Sequence, residues 1–217
     1  MNASSSSHVV ARPSSLLTPL SALALALFTV VPVPAFAGGG NVLPPNAKSS
    51  RFTLTDMAQE IAYFTVSRNN PAEYPDTPFQ ILHISETNTF EVKAGTKFFV
   101  PIAYITDSDP ILGDFPVDAG SSDEYFFDPA QLGGHDFEIE VDGKVTSIGP
   151  EYVAGPVFAP GLADGGSNFL QIGAFLTPLS KGTHTVKIRG TFDGDLLAPY
   201  FPGGVFAFEE IYTVIVR

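Results

Sequence analysis

Apolar and polar side chains alternate with a period of two along much of this chain. Residues 135–141 (HDFEIEV) alternate without a fault, residues 183–189 (THTVKIR) repeat the pattern, and residues 89–93 (TFEVK) give a shorter version. That period puts one set of side chains in a core and the other in water, so each run predicts a half-buried β-strand. Residues 97–106 (KFFVPIAYIT) and 169–176 (FLQIGAFL) are apolar on both faces, which predicts strands covered on both sides. Pro101 lacks the amide donor a central strand needs, so a bulge or break is expected there. Asp142-Gly143 marks a hairpin turn between 135–141 and a return strand at 144–148, and residues 210–217 (EIYTVIVR) close the chain as a strand.

The one helical candidate is 55–62, with Thr55 and Asp56 as its cap, and residues 61–67 read equally well as a strand. Strands of five to nine residues between Gly/Pro/Asp loops define the expected class. It is all-β: a single antiparallel β-sandwich, of jelly-roll or Ig-like type. No strand–helix–strand rhythm argues for a parallel-sheet enzyme fold.

The N-terminus changes the picture of where the chain works. Residues 1–37 hold no acid and one arginine, Arg12. An apolar run at 20–31 is followed by Pro32, Pro34 and Ala35-Phe36-Ala37. This is the layout of a secretory signal peptide with an A-x-A cleavage site, and the run is too short to span a membrane. A retained anchor and an organelle transit peptide are the alternatives. The expected organisation is a signal peptide at 1–37, a flexible Gly/Pro leader at 38–50 and a sandwich domain at 51–217. The expected location is secreted or periplasmic, with no membrane span after cleavage.

Composition removes several chemistries. Cysteine is absent, which excludes thiolate catalysis and cysteine metal sites. Tryptophan is absent while phenylalanine numbers 19, so the aromatics are read as core. Loss of Arg12 takes the net charge from −12 to −13, which argues against nucleic acid and leaves a cation or a basic partner open.

That charge is local. Between Phe98 and Gly143 there are 11 acids and no lysine or arginine. Clustered carboxylates on flexible loops suit Ca²⁺, so Asp107, Asp109, Asp114, Asp118 and Asp123 are the candidate ligands, with Ca²⁺ as the possible cofactor. The spacing is not that of an EF-hand: from Asp107, the required glycine position holds Leu112 and the closing glutamate position holds Asp118. The plainer alternative is a solvated loop that keeps the protein soluble. Asp193-Gly194-Asp195 is a second acidic turn, read first as turn chemistry.

His135 is in phase with Phe137 and Ile139, and His184 with Val186 and Ile188, so both are expected on inward-facing positions. A transition-metal site or a bond from each imidazole to nearby backbone would account for them. No G-x-S-x-G elbow or phosphate-binding glycine motif occurs.

Val141-Asp142-Gly143-Lys144, followed by Pro178-Leu179 and the Gly182-Thr183-His184-Thr185-Val186-Lys187-Ile188 run, resembles a pattern of uncharacterised exported bacterial β-sandwich proteins. Over residues 135–217 that resemblance implies a compartment and a fold type, and no activity. The expected function is a non-catalytic binding or structural module with an acidic loop face. The alternative is an extracellular polysaccharide-active hydrolase or lyase using carboxylates or His135 and His184. An exposed strand edge that pairs with another chain is a third possibility, sought at the C-terminal strand.

Overall fold

The computed structural model describes residues 41–217; the signal-peptide expectation lies outside them. Among the described residues, nine strands form two sheets that pack together and stay open. Strands β1 (Phe79–Ile81), β3 (Lys97–Thr106), β7 (Asn168–Leu176) and β6 (Val153–Phe158) form one, in the order β1-β3-β7-β6. Strands β2 (Thr89–Val92), β9 (Phe206–Val216), β8 (Gly182–Phe192), β4 (Gly134–Val141) and β5 (Lys144–Ser147) form the other, in the order β2-β9-β8-β4-β5.

The protein is thus mostly β, but it departs from an all-β antiparallel sandwich in two ways. The pairs β1–β3 and β2–β9 are parallel, so both sheets are mixed. Two α-helices, α1 (Leu54–Val66) and α2 (Ala119–Phe127), pack against the four-stranded sheet.

Helix α1 forms because Leu54, Met57, Ala58, Ile61 and Ala62 recur at helical spacing and are all buried, against β6 and β7. Its cap is Thr53 rather than Thr55. The Thr53 hydroxyl accepts the Asp56 N–H at 3.1 Å, and the Asp56 carboxylate accepts the Thr53 N–H at 2.7 Å. The strand reading of 61–67 fails because only helical spacing buries this stripe as a unit.

Residues 41–50, expected as flexible leader, lie against the fold. The Leu43 N–H donates to the Phe175 carbonyl at 2.8 Å, the Thr177 N–H donates to Asn41 at 2.7 Å, and Val42 is buried. Backbone pairing to the end of β7 outweighs the loop-like composition.

The bulge expected at Pro101 is present. The β3–β7 register shifts between Pro101 and Ala103, leaving Ile102 as the extra residue. A second shift, between His135 and Glu138 of β4, coincides with Asp136 in the left-handed region at φ 54°. It turns His135 out to solvent while Phe137, Ile139 and Val141 stay buried.

Strand β9 has unequal neighbours. Strand β8 pairs with all of it, from Phe206 to Val216, whereas β2 pairs only with Thr213 to Val216. The Thr213 N–H donates to Asn88 at 2.8 Å and the Arg217 N–H donates to Val92 at 2.9 Å, so odd-numbered residues of β9 face away from β8. Ala207, Glu209 and Ile211 therefore present N–H and C=O to an empty strand position among the described residues.

Candidate functional site

The two sheets part beside that vacant position and leave a cleft of about 640 Å³. One wall is Ile102, Ala103 and Tyr104 of β3. The other is Ile188 and Phe192 of β8 with Phe206, Phe208, Glu210 and Tyr212 of β9. Leu82, His83 and Ile84, on the crossing from β1 to β2, line it as well, with Arg68 and Asn69 just beyond α1. Phe206, Phe208, Glu210 and Tyr212, alternate residues of β9, all face this cleft, as the strand alternation requires. Its volume lies within the range of ordinary ligand pockets. Ile84, Tyr104 and Phe206 are exposed at its mouth.

Three polar groups inside it lack partners or keep an open position. Glu210 makes no ion pair or hydrogen bond among the described residues. The same holds for the Tyr212 hydroxyl, although Tyr212 is only 2% exposed. Burial pushes the Tyr212 phenol up, and the Glu210 carboxylate adds to this. His83 packs edge-on to Phe64 and Phe90, and its Nδ1 lies 3.1 Å from the Ile81 carbonyl. Burial lowers its pKa despite that bond. A neutral ring donates from Nδ1 and leaves Nε2 as an acceptor. The Tyr104 phenol is raised by burial and by Asp164, against an opposing effect of Arg68, and its ring stacks on Phe169.

The five acids of the Ca²⁺ expectation do not make a cage. Asp107 is engaged in holding the start of β7: its carboxylate accepts the Ser167 and Asn168 N–H groups at 2.6 and 2.8 Å and the Asn168 side-chain amide at 2.7 Å. Burial raises its pKa, and these donors more than offset that, leaving it below the usual carboxylate value. Asp118 caps α2 by accepting the Ser121 N–H at 2.9 Å. Asp123 lies on α2, where desolvation and the nearby Glu151 raise its pKa. Asp109 and Asp114 are exposed on the connecting loop. Among the described residues, no three His, Cys, Asp or Glu side chains come together to hold a metal ion. Of the five, Asp107 and Asp118 already serve as backbone acceptors.

Helix α2 was hidden in that acidic segment. Its signal was Asp118 at a capping position ahead of Ser122, Tyr125 and Phe126, which are the buried residues of the helix. The Ser122 hydroxyl donates to the Gly155 carbonyl at 3.1 Å, tying α2 to β6.

His135 and His184 are held by acids. His135 lies between Asp136 at 3.0 Å and Asp193 at 3.3 Å. His184 is set between Asp142, 2.6 Å from Nδ1, and the Ser180 carbonyl, 2.8 Å from Nε2. The Ser180 hydroxyl lies 3.4 Å from the same Nε2. The Ser–His–Asp set has the membership of a hydrolytic triad, but a base needs a free lone pair. Here both ring nitrogens face acceptors, an arrangement that favours the doubly protonated imidazolium over a free base. Its pKa is raised, chiefly by the Asp142 bond. The group joins the Asp142-Gly143 turn to the start of β8.

A raised histidine pKa stabilises the fold fully below the ordinary value of 6.5, and the contribution fades as pH rises through the folded-state value. His184→Gln is expected to cost about 1 kcal/mol at pH 5.5, the low end for a charge-assisted bond because Asp142 is half exposed. Thermal unfolding should show the deficit shrinking by pH 9. A deficit that grows toward high pH would contradict the imidazolium assignment.

No family model matches this chain, and no curated protein or solved structure is significantly similar to it.

Proposed function

We propose that the exported chain is a non-catalytic binding module of the sandwich type, whose ligand site is the cleft between the two sheets. The observation that carries this reading is the composition of the cleft walls. Apolar and aromatic side chains from both sheets face each other across open space, with Glu210, His83 and the Tyr212 hydroxyl as isolated polar groups. Apolar walls with a few convergent polar groups are the usual chemistry of a binding pocket. The alternative of a hydrolase using His135 and His184 draws no support from the cleft, since neither residue lines it. The acidic surface of residues 98–143 keeps the exported module soluble and disposes it toward basic partners.

The test is titration with anilinonaphthalene sulfonate, an apolar aromatic dye that fluoresces in dry surroundings. The expected result is a saturable, one-to-one enhancement in the folded protein. Ala103→Trp fills the cleft from the β3 wall and should weaken dye binding at least tenfold. An enhancement that never saturates, or one indifferent to Ala103→Trp in a folded variant, would overturn the reading.

A further inference from the structure

The wall formed by β9 is a strand edge as well as an apolar surface. Over Phe206 to Ile211 its partner position is vacant among the described residues, because β2 begins only opposite Thr213. The outward N–H and C=O groups of Ala207, Glu209 and Ile211 recur every second residue, at a spacing of about 7 Å. All three residues are exposed. An unpaired row of this kind is complementary to one thing, the backbone of another strand. On the cleft side the same segment presents Phe206 and Phe208 and then Glu210, a carboxylate without a cation among the described residues.

We infer that the cleft takes an extended segment of a partner polypeptide that adds to β9 as a strand. Apolar side chains of that segment lie opposite Phe206 and Phe208, and a lysine or arginine lies opposite Glu210. The inference rests on the binding-module reading and names its partner class. On an edge like this, cleft-facing residues lie opposite one another on the same face, and in antiparallel addition they form the close, non-hydrogen-bonded pairs; opposite charges there attract and like charges repel. Hence the required pattern is two alternate apolar positions with a base two residues beyond them, after them in a parallel strand and before them in an antiparallel one. The intervening residues point away from the cleft.

A second copy of this chain fits poorly. Antiparallel pairing of two β9 edges about Glu209 sets that glutamate against its own copy, within a protein of net charge −12. Arg68, across the cleft beyond α1, is the one lysine or arginine among the lining residues. It leaves Glu210 unpaired, so the acid remains available to a cationic guest.

The experiment uses the full chain and a capped nonapeptide, Thr-Lys-Thr-Val-Thr-Val-Thr-Lys-Thr, whose palindromic sequence offers the same pattern in either direction. Affinity is read by fluorescence anisotropy of the labelled peptide. Saturable binding is expected, weakened about tenfold by Glu210→Gln and abolished by Glu210→Lys, with circular dichroism confirming that both variants fold. Methylating backbone nitrogens separates strand addition from simple apolar capture. One alternate set of N-methyl groups, on the threonines or on the lysines and valines, should abolish binding, and the other should leave it within threefold. Methyl groups on the threonines are the damaging set if the strand adds antiparallel, and the other set if it adds parallel. Equal effects of the two sets, or an affinity indifferent to Glu210→Gln, would overturn the inference. If the dye binds in a manner sensitive to Ala103→Trp and the peptide does not bind, the strand inference fails while the binding-module reading stands. If neither binds, both fail.

Discussion

Replacing Gly194 with alanine is expected to lower the thermal midpoint by roughly 6–12 °C, the equivalent of about 3 kcal/mol in a domain of this size. The turn after β8 lies directly on the chain that leaves α2. The Gly194 N–H donates to the Leu132 carbonyl at 3.0 Å, the Asp193 N–H donates to Gly133 at 3.3 Å, and the Leu196 N–H donates to Gln131 at 3.1 Å. A Cβ on Gly194 would meet the Gln131 carbonyl oxygen, the Leu132 carbonyl carbon and the Gly133 nitrogen, all backbone atoms that cannot rotate aside. Gly133 faces it at φ 61°, where its own Cβ would lie 2.5 Å from the Gly194 nitrogen. The two chains approach this closely only because neither carries a side chain. Gly161→Ala is the control. It has φ 82° but open space around it, so it carries only the left-handed backbone cost of about 1 kcal/mol. Calorimetry that finds the two variants equally stable would refute the close-approach account.

Phe137→Ala should cost about 3–5 kcal/mol, which is a fall of roughly 6–20 °C. The Phe137 ring is buried, with ring centroids at 5.6 Å from Phe127 and 5.1 Å from Phe192, both edge-on, and 6.4 Å from Phe208. It also covers Gly190 and Gly134, where no Cβ would fit beneath it. Truncation leaves a cavity that backbone on two strands limits from collapsing, which places the cost well above simple loss of apolar transfer. Phe137→Leu keeps most of the volume and should cost less than about 1.5 kcal/mol. Phe192 and Phe208 line the cleft, so Phe137→Ala should also weaken dye binding, whereas Phe137→Leu should largely preserve it. A stability loss under 1 kcal/mol for the alanine variant, measured by denaturant unfolding, would remove Phe137 from its place as the packing centre of this end of the sandwich.

Much of the β-structure was legible because it depends on local alternation. The runs at 97–106, 135–141, 144–148 and 169–176 match β3, β4, β5 and β7 within a residue or two. Pro101 announced its bulge because a missing donor has the same consequence in any central strand. Strands β1 and β6 were not legible. Three residues give no period, and Gly155-Pro156 inside β6 reads as a turn although the β6–β7 register shift absorbs it.

The site was less legible than the fold. The acids of residues 107–123 read as a charge cluster, yet Asp107 is explained by the Ser167 and Asn168 donors that only folding brings within reach, and Asp118 by the local cap of α2. His135 was assigned inward by a phase that holds only if no residue is added, and the left-handed Asp136 breaks it. Glu210 and Tyr212 carry no motif. They become notable only because β2 stops short of them and the opposing β3 wall stands off.

The sequence by itself determined where strands run, where they turn and which faces are apolar, since these follow from side-chain periodicity and backbone donors within a few residues. The tertiary structure alone decided strand order, the parallel pairings at β1–β3 and β2–β9, the vacancy beside β9 and the cleft it opens. Those depend on which distant segments satisfy one another's backbone groups, and no local pattern tells that part of the β9 edge stays unpaired among the described residues.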